Sequence, residues 1–266
     1  MKLILPTAAL ALSAAGCAVS TQQEVALGAD YASQINQQLP IVDDPEINRY
    51  INVLGDSIAM LSDERGLDWH FYVVNSEQVN AFAVPGGYIY VTRGLIERSQ
   101  NLSMLAGVLG HEIGHVTERH SIDQMQDAQK ANIGLTLACV LTSVCQSGAA
   151  RAGINIAGSA IFAGFSRDDE READAEGIRN VVRAGIHPGG IPAMFRVLLE
   201  ERSRQPAAVE SWFATHPTER ERIEDTEAAI AQIDPLILEG LTRDTENFHA
   251  FKRRVQALPA PPPPRQ

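Results

Sequence analysis

Residues 101–118 read NLSMLAGVLGHEIGHVTE, and this stretch decides how the chain folds. Leu102, Leu105, Val108, Leu109, Ile113 and Val116 recur at three- and four-residue spacings, which predicts a helix that is unusually apolar. Within it His111 and His115 stand four apart, so both imidazoles project from one face and can reach a single cation. Glu112 falls about 100° round the helix from His111, beside such an ion, where it can hold and deprotonate a water. Two idle histidines fit this context badly, because an unpaired imidazole is costly to bury among apolar side chains.

A hydrolytic zinc site needs a third protein ligand and a position left open for water. His120 lies five residues past His115, about 140° round the same helix, and is expected to point away. The Gly and His that a metzincin would place downstream are replaced by Glu118 and Ser121. The third candidate is Glu170-Arg171-Glu172-Ala173-Asp174, on a charged helix read over 166–184. Glu170 and Asp174 share a face. Glu170 is therefore expected to ligate the ion and Asp174 to accept a hydrogen bond from a ligating histidine, which fixes that imidazole's tautomer. Glu172 is expected to face solvent. One Zn²⁺ per chain is the implied cofactor.

Around these two helices the punctuation is clear. Glu24–Leu39 reads as a surface-facing helix. Asp43-Asp44-Pro45 is a helix start, followed by Ile47, Tyr50, Ile51, Leu54, Ile58 and Leu61 on one face. Residues 69–74, WHFYVV, read as a strand, and residues 82–84 and 88–91 as two extended pieces about Pro85-Gly86-Gly87. Helices resume from Ile191 and again after Pro217. The fold class is α+β, mostly α. Residues 258–266 form a Pro-rich tail suited to polyproline II.

Lys+Arg 22 against Asp+Glu 33 gives a net charge of −11, which argues against a nucleic-acid partner. The N-terminus carries Lys2, a short apolar run, and then Ser13-Ala14-Ala15-Gly16-Cys17. The run is too short to span a bilayer and reads as a signal peptide over residues 1–16. Its end resembles a bacterial lipobox, which makes Cys17 the lipidation site and residues 17–23 a tether; the expected location is the bacterial periplasm, lipid-anchored, and Ala18 after the Cys favours the outer membrane by the same resemblance. Cys139 and Cys145 read either as a disulfide or as two buried thiols. The stretch 131–166, uncharged except for Arg151, reads as buried helix, mobile lid or membrane contact.

HEIGH at 111–115 together with SRDDEREAD at 166–174 resembles the HtpX-, BepA-, LoiP- and Oma-like zinc metallopeptidases, family 48 of the metallopeptidases. Residues 80–87 (NAFAVPGG), Gly94-Leu95-Ile96, and Thr215-His216-Pro217 with Arg222 carry the likeness further. The resemblance implies a zincin-like (gluzincin) peptidase domain over residues 24–257, nearest the outer-membrane lipoprotein members without a repeat domain. In that setting Glu112 is the catalytic base and His111, His115 and Glu170 are the metal ligands. His216 would be a switch that fills the fourth position, or else a transition-state donor, with Arg222 a further candidate for transition-state support. Tyr88, Ile89, Tyr90 and Val91 are expected to form an edge strand beside the active-site helix that pairs with extended substrate. The expected partners are unfolded or misfolded envelope polypeptides, with outer-membrane assembly machinery or a second copy of the chain as further candidates. The leading function is an envelope endopeptidase. The alternative is a chaperone-like assembly factor with a latent zinc site, and a zinc hydrolase of deformylase type is disfavoured because Glu170 stands in place of a cysteine.

Overall fold

A helix with this much apolar surface must be enclosed on all sides, and the rest of the chain supplies the enclosure. The computed structural model describes residues 19–127, 164–217 and 220–261. The readings of the signal peptide, of Cys17, of Cys139 and Cys145, and of nearly all of 131–166 lie outside the described residues.

In chain order the elements are α1 Thr21–Gln38, α2 Pro45–Ala59, β1 His70–Val74, β2 Ala81–Val84, β3 Tyr88–Thr92, α3 Arg93–Arg98 and α4 Leu102–Thr117. They are followed by α5 Arg167–Arg183, α6 Gly190–Arg204, α7 Pro206–Thr215, α8 Arg220–Ile230, α9 Pro235–Glu239 and α10 Glu246–Gln256. Capping chemistry sets the starts. Asp44 accepts from the Glu46 and Ile47 amides at 3.0 and 3.1 Å, with Pro45 in the first turn of α2. Asn101 accepts from the Met104 amide and opens α4. Ser20 and Gln23 form a capping box, so α1 begins three residues before the expected Glu24.

Every residue of α4 from Leu102 to Val116 is buried. Ile47, Ile51 and Ile58 of α2, Val181 of α5, and Met194 and Leu198 of α6 share one apolar cluster with Leu105, Leu109 and Ile113. Leu61, read as part of the α2 face, lies past the helix end and is 51% exposed. α1 is more than a surface helix. Its Glu24 is buried; Arg65 Nη1 donates to both of its carboxylate oxygens and Arg119 Nε lies 2.9 Å from Oε2, which pins α1 to the C-terminal end of α4.

The sheet has the order β1-β3-β2. β1 runs parallel to β3 with His70 opposite Tyr88, and β2 runs antiparallel to it with Ala81 opposite Val91. Tyr88–Val91 is thus the central strand, not the expected edge. Both of its rows of backbone groups are taken by β1 and β2, so it has none left for a substrate. The edge strand beside α4 is β2. The Pro-rich tail begins against the body: the Leu258 and Pro259 carbonyls each accept from Arg93 Nη1 at 3.0 Å. No described helix is long and apolar enough to cross a membrane.

Candidate active site

α4 and α5 meet through small residues. A Cβ on Gly110 would stand 3.1 Å from the Gly177 carbonyl, and one on Gly114 would stand 3.0 Å from that of Ala173. A larger residue at either position would push the helices apart. Their close contact carries Glu170 and Asp174 to the histidine face of α4.

The result is a cluster in which one ligand atom each from His111, His115, Glu170 and His216 lies within 4.8 Å of the others, all four residues buried. His111 Nε2 and His115 Nε2 are 3.1 Å apart. Glu170 Oε2 is 3.6 Å from the first and Oε1 is 3.4 Å from the second. Ligands at ~2.0–2.1 Å around a tetrahedral ion stand about 3.3 Å from one another, so these spacings fit a single such ion. The chemistry fits too. Asp174 Oδ1 lies 2.9 Å from His111 Nδ1, close enough to draw that nitrogen's proton outward and leave Nε2 a lone pair. Lone pairs of two imidazoles and a carboxylate that converge in a buried site call for a cation.

Glu112 is fully buried, and neither carboxylate oxygen has a hydrogen bond from the described residues. Burial pushes its carboxyl above the usual range. Burial holds the His115 imidazole well below its ordinary value, which keeps it neutral and able to ligate. Burial alone would raise Glu170, but His216, His115 and Arg222 outweigh it and hold the carboxyl well below its usual range.

His216 follows α7 directly, and its amide donates to the Trp212 carbonyl at 2.8 Å. Its Nδ1 lies 2.9 Å from Glu170 Oε1 and 3.5 Å from His111 Nε2, while Nε2 is 3.5 Å from Glu112 Oε1. Its ring thus supplies the fourth corner of the cluster. Phe165 stacks on His115 with ring centroids 3.8 Å apart, and its amide donates to the Thr215 carbonyl.

Arg222, read as a candidate for transition-state support, meets the site through its carboxylates. Its Nε and Nη2 grip both oxygens of Asp174 at 2.8 and 2.7 Å, while Nη1 meets Glu170 Oε2 and the Pro217 carbonyl. The guanidinium is occupied in orienting two carboxylates. His120 departs from expectation. α4 ends at Thr117, Arg119 takes a left-handed φ of 64°, and the turn brings His120 Nδ1 to 2.9 Å from His115 Nδ1. The 140° extrapolation fails because the helix does not continue. Glu172 is exposed, as expected, although His120 Nε2 approaches it at 3.3 Å. His187 is structural: it accepts from the Gly189 amide through Nδ1 and meets Arg243 Nη2 through Nε2. His70 and His249 lie outside the site, beside Asp68 and Asp244.

The profile of Peptidase family M48 matches residues 43–230. The chain is 31% identical over 253 residues to the beta-barrel assembly-enhancing protease of Escherichia coli (strain K12), across 92% of this chain and 51% of that protein. It is 33% identical over 174 residues to the metalloprotease YcaL of the same strain, across 65% of this chain and 66% of YcaL. The mitochondrial metalloendopeptidase OMA1 of Schizosaccharomyces pombe is 25% identical over 186 residues, or 67% of this chain and 51% of OMA1. The chain spans about half the length of the beta-barrel assembly-enhancing proteases it matches.

Proposed function

This chain belongs to peptidase family M48, and we propose that it is a zinc-dependent endopeptidase of the bacterial cell envelope that degrades misfolded or stalled periplasmic and outer-membrane proteins. The observation that carries the chemistry is the buried convergence of His111 Nε2, His115 Nε2 and Glu170 beside a Glu112 carboxylate that accepts no hydrogen bond from the described residues. Zinc bound there would supply Lewis acidity to a water and to the scissile carbonyl. His111, His115 and Glu170 hold the ion, and Asp174 holds the His111 tautomer. Glu112 takes the proton of the attacking water and delivers it to the leaving amine.

His216 is the proposed switch. With its Nδ1 at the fourth corner, water has no place and the enzyme rests; displacement of the segment after α7 opens the site. This same feature favours the latent-site reading of a chaperone-like assembly factor, so the two are separated by turnover. The envelope assignment rests on the Cys17 lipobox, which proposes a lipid anchor in the outer membrane. The names of the beta-barrel assembly-enhancing relatives add to it, and they make barrel-assembly machinery a candidate partner. The test is digestion of casein by the purified protein. Cleavage should vanish with a chelator and return with zinc. A preparation that binds zinc yet never cleaves, with His216 intact or replaced, would support the latent-site reading instead.

A further inference from the structure

The two histidines of α4 have outer nitrogens held in different ways. His111 faces the carboxylate of Asp174, itself gripped by Arg222. His115 faces a second imidazole, His120, at 2.9 Å between Nδ1 atoms. We propose that His120, backed by Glu172, is the positioning residue that fixes His115 as a metal ligand. The inference rests on the reading of His115 as a ligand.

One tautomer of each ring satisfies every contact. A ligating His115 presents the Nε2 lone pair inward and so carries its proton on Nδ1. That N–H donates to the lone pair of His120 Nδ1. His120 then carries its proton on Nε2, which donates to Glu172 Oε2 at 3.3 Å. The chain runs ligand, imidazole, carboxylate, and ends at the surface.

The geometry gives His120 a task that packing cannot perform. Phe165 stacks on His115 with 18° between the planes, so it fixes the plane of the ring. Stacking does not distinguish a ring from the same ring flipped about its Cβ–Cγ bond, which would exchange Nε2 for Cε1 at the metal. A hydrogen bond at Nδ1 does distinguish them. His120 is 4% exposed, so no water competes strongly for that bond. Three acids of one helix thereby divide the work: Glu170 ligates, Asp174 serves His111, and Glu172 serves His115 through His120.

The test is zinc affinity of the full chain by competition with a fluorescent chelator, together with the visible spectrum of the cobalt(II)-substituted protein. His120→Gln retains a polar side chain but puts no acceptor at the Nδ1 position. It should weaken zinc binding about 10–100-fold, the usual loss for an outer partner of a ligand, and alter the cobalt spectrum. His120→Asn places Oδ1 near the Nδ1 position and should restore most of both. Melting curves of the chelated proteins should coincide, which separates positioning from folding. Wild-type affinity in His120→Gln, or no rescue in His120→Asn, overturns the proposal. His115→Ala is the control for the premise. If it keeps full affinity, the ligand reading fails; if it loses affinity while His120→Gln does not, only the positioning role fails.

Discussion

Arg222 offers the sharpest test of how the site is held together before any ion binds. Its side chain is nearly fully buried and pairs with Asp174 and Glu170, both buried as well. Replacement by Met keeps the stem but removes the guanidinium, which lies over the Phe195 ring, and leaves two carboxylates without their cation. Breaking a buried pair in this way costs about 3–5 kcal/mol. At roughly 2–4 °C per kcal/mol for a domain of this size, the chelated Arg222→Met protein should melt roughly 6–20 °C below wild type at pH 7. Lys cannot offer the two-pronged grip, so Arg222→Lys should fall between the two. The pH dependence has a definite sign. Burial would raise the Asp174 carboxyl, but Arg222 and His111 outweigh it and hold it below its usual value. A depressed carboxylate contributes stability that is present above its unfolded pKa, near ~3.9, and is lost as pH falls through the folded value. The gap between wild type and Arg222→Met should therefore be full at neutral pH and shrink in acid. Circular dichroism melts in chelator at several pH values measure it. A gap under 2 °C at pH 7, or one that persists unchanged in acid, would refute the reasoning.

Three further outcomes are expected. Asp174→Ala should weaken zinc binding about 10–100-fold in a chelator competition, and unchanged affinity would mean its contact with His111 is idle. His216→Ala should raise basal kcat/KM on an unfolded substrate if the imidazole holds the site closed, and lower it if the imidazole stabilises the transition state. Gly190→Ala should cost about 1–3 kcal/mol or more of stability in a denaturant titration, because its Cβ would come 1.9 Å from the Ser103 carbonyl oxygen.

The helices were legible where the sequence carried both period and cap. Asp44-Pro45 with Ile47, Ile51 and Ile58 announces α2, and the apolar run to Val116 announces α4. The pairing of HEIGH with Glu170 and Asp174 was legible because each pair has helical spacing. α7 escaped notice: Pro206 in its first turn is a start signal, but the segment reads on smoothly from α6. The strand order is not legible, since a hairpin and a preceding strand can join in more than one order. The position of His120 is not legible because a left-handed Arg119 has no mark in the sequence; non-glycine residues adopt that conformation only where the surroundings enforce it. The role of Arg222 escaped for a related reason. Its partners lie on α5, and only the packed fold brings α8 against that helix.

In the proposed mechanism Glu112 activates water at an ion it does not hold. Glu112→Gln, purified beside wild type, should carry about one zinc per chain by mass spectrometry and melt like wild type. Its kcat/KM on an unfolded substrate should fall by about 10²–10⁴, the range a general base supplies. Near-wild-type turnover with zinc in place would contradict the account, because another group would then be taking the proton.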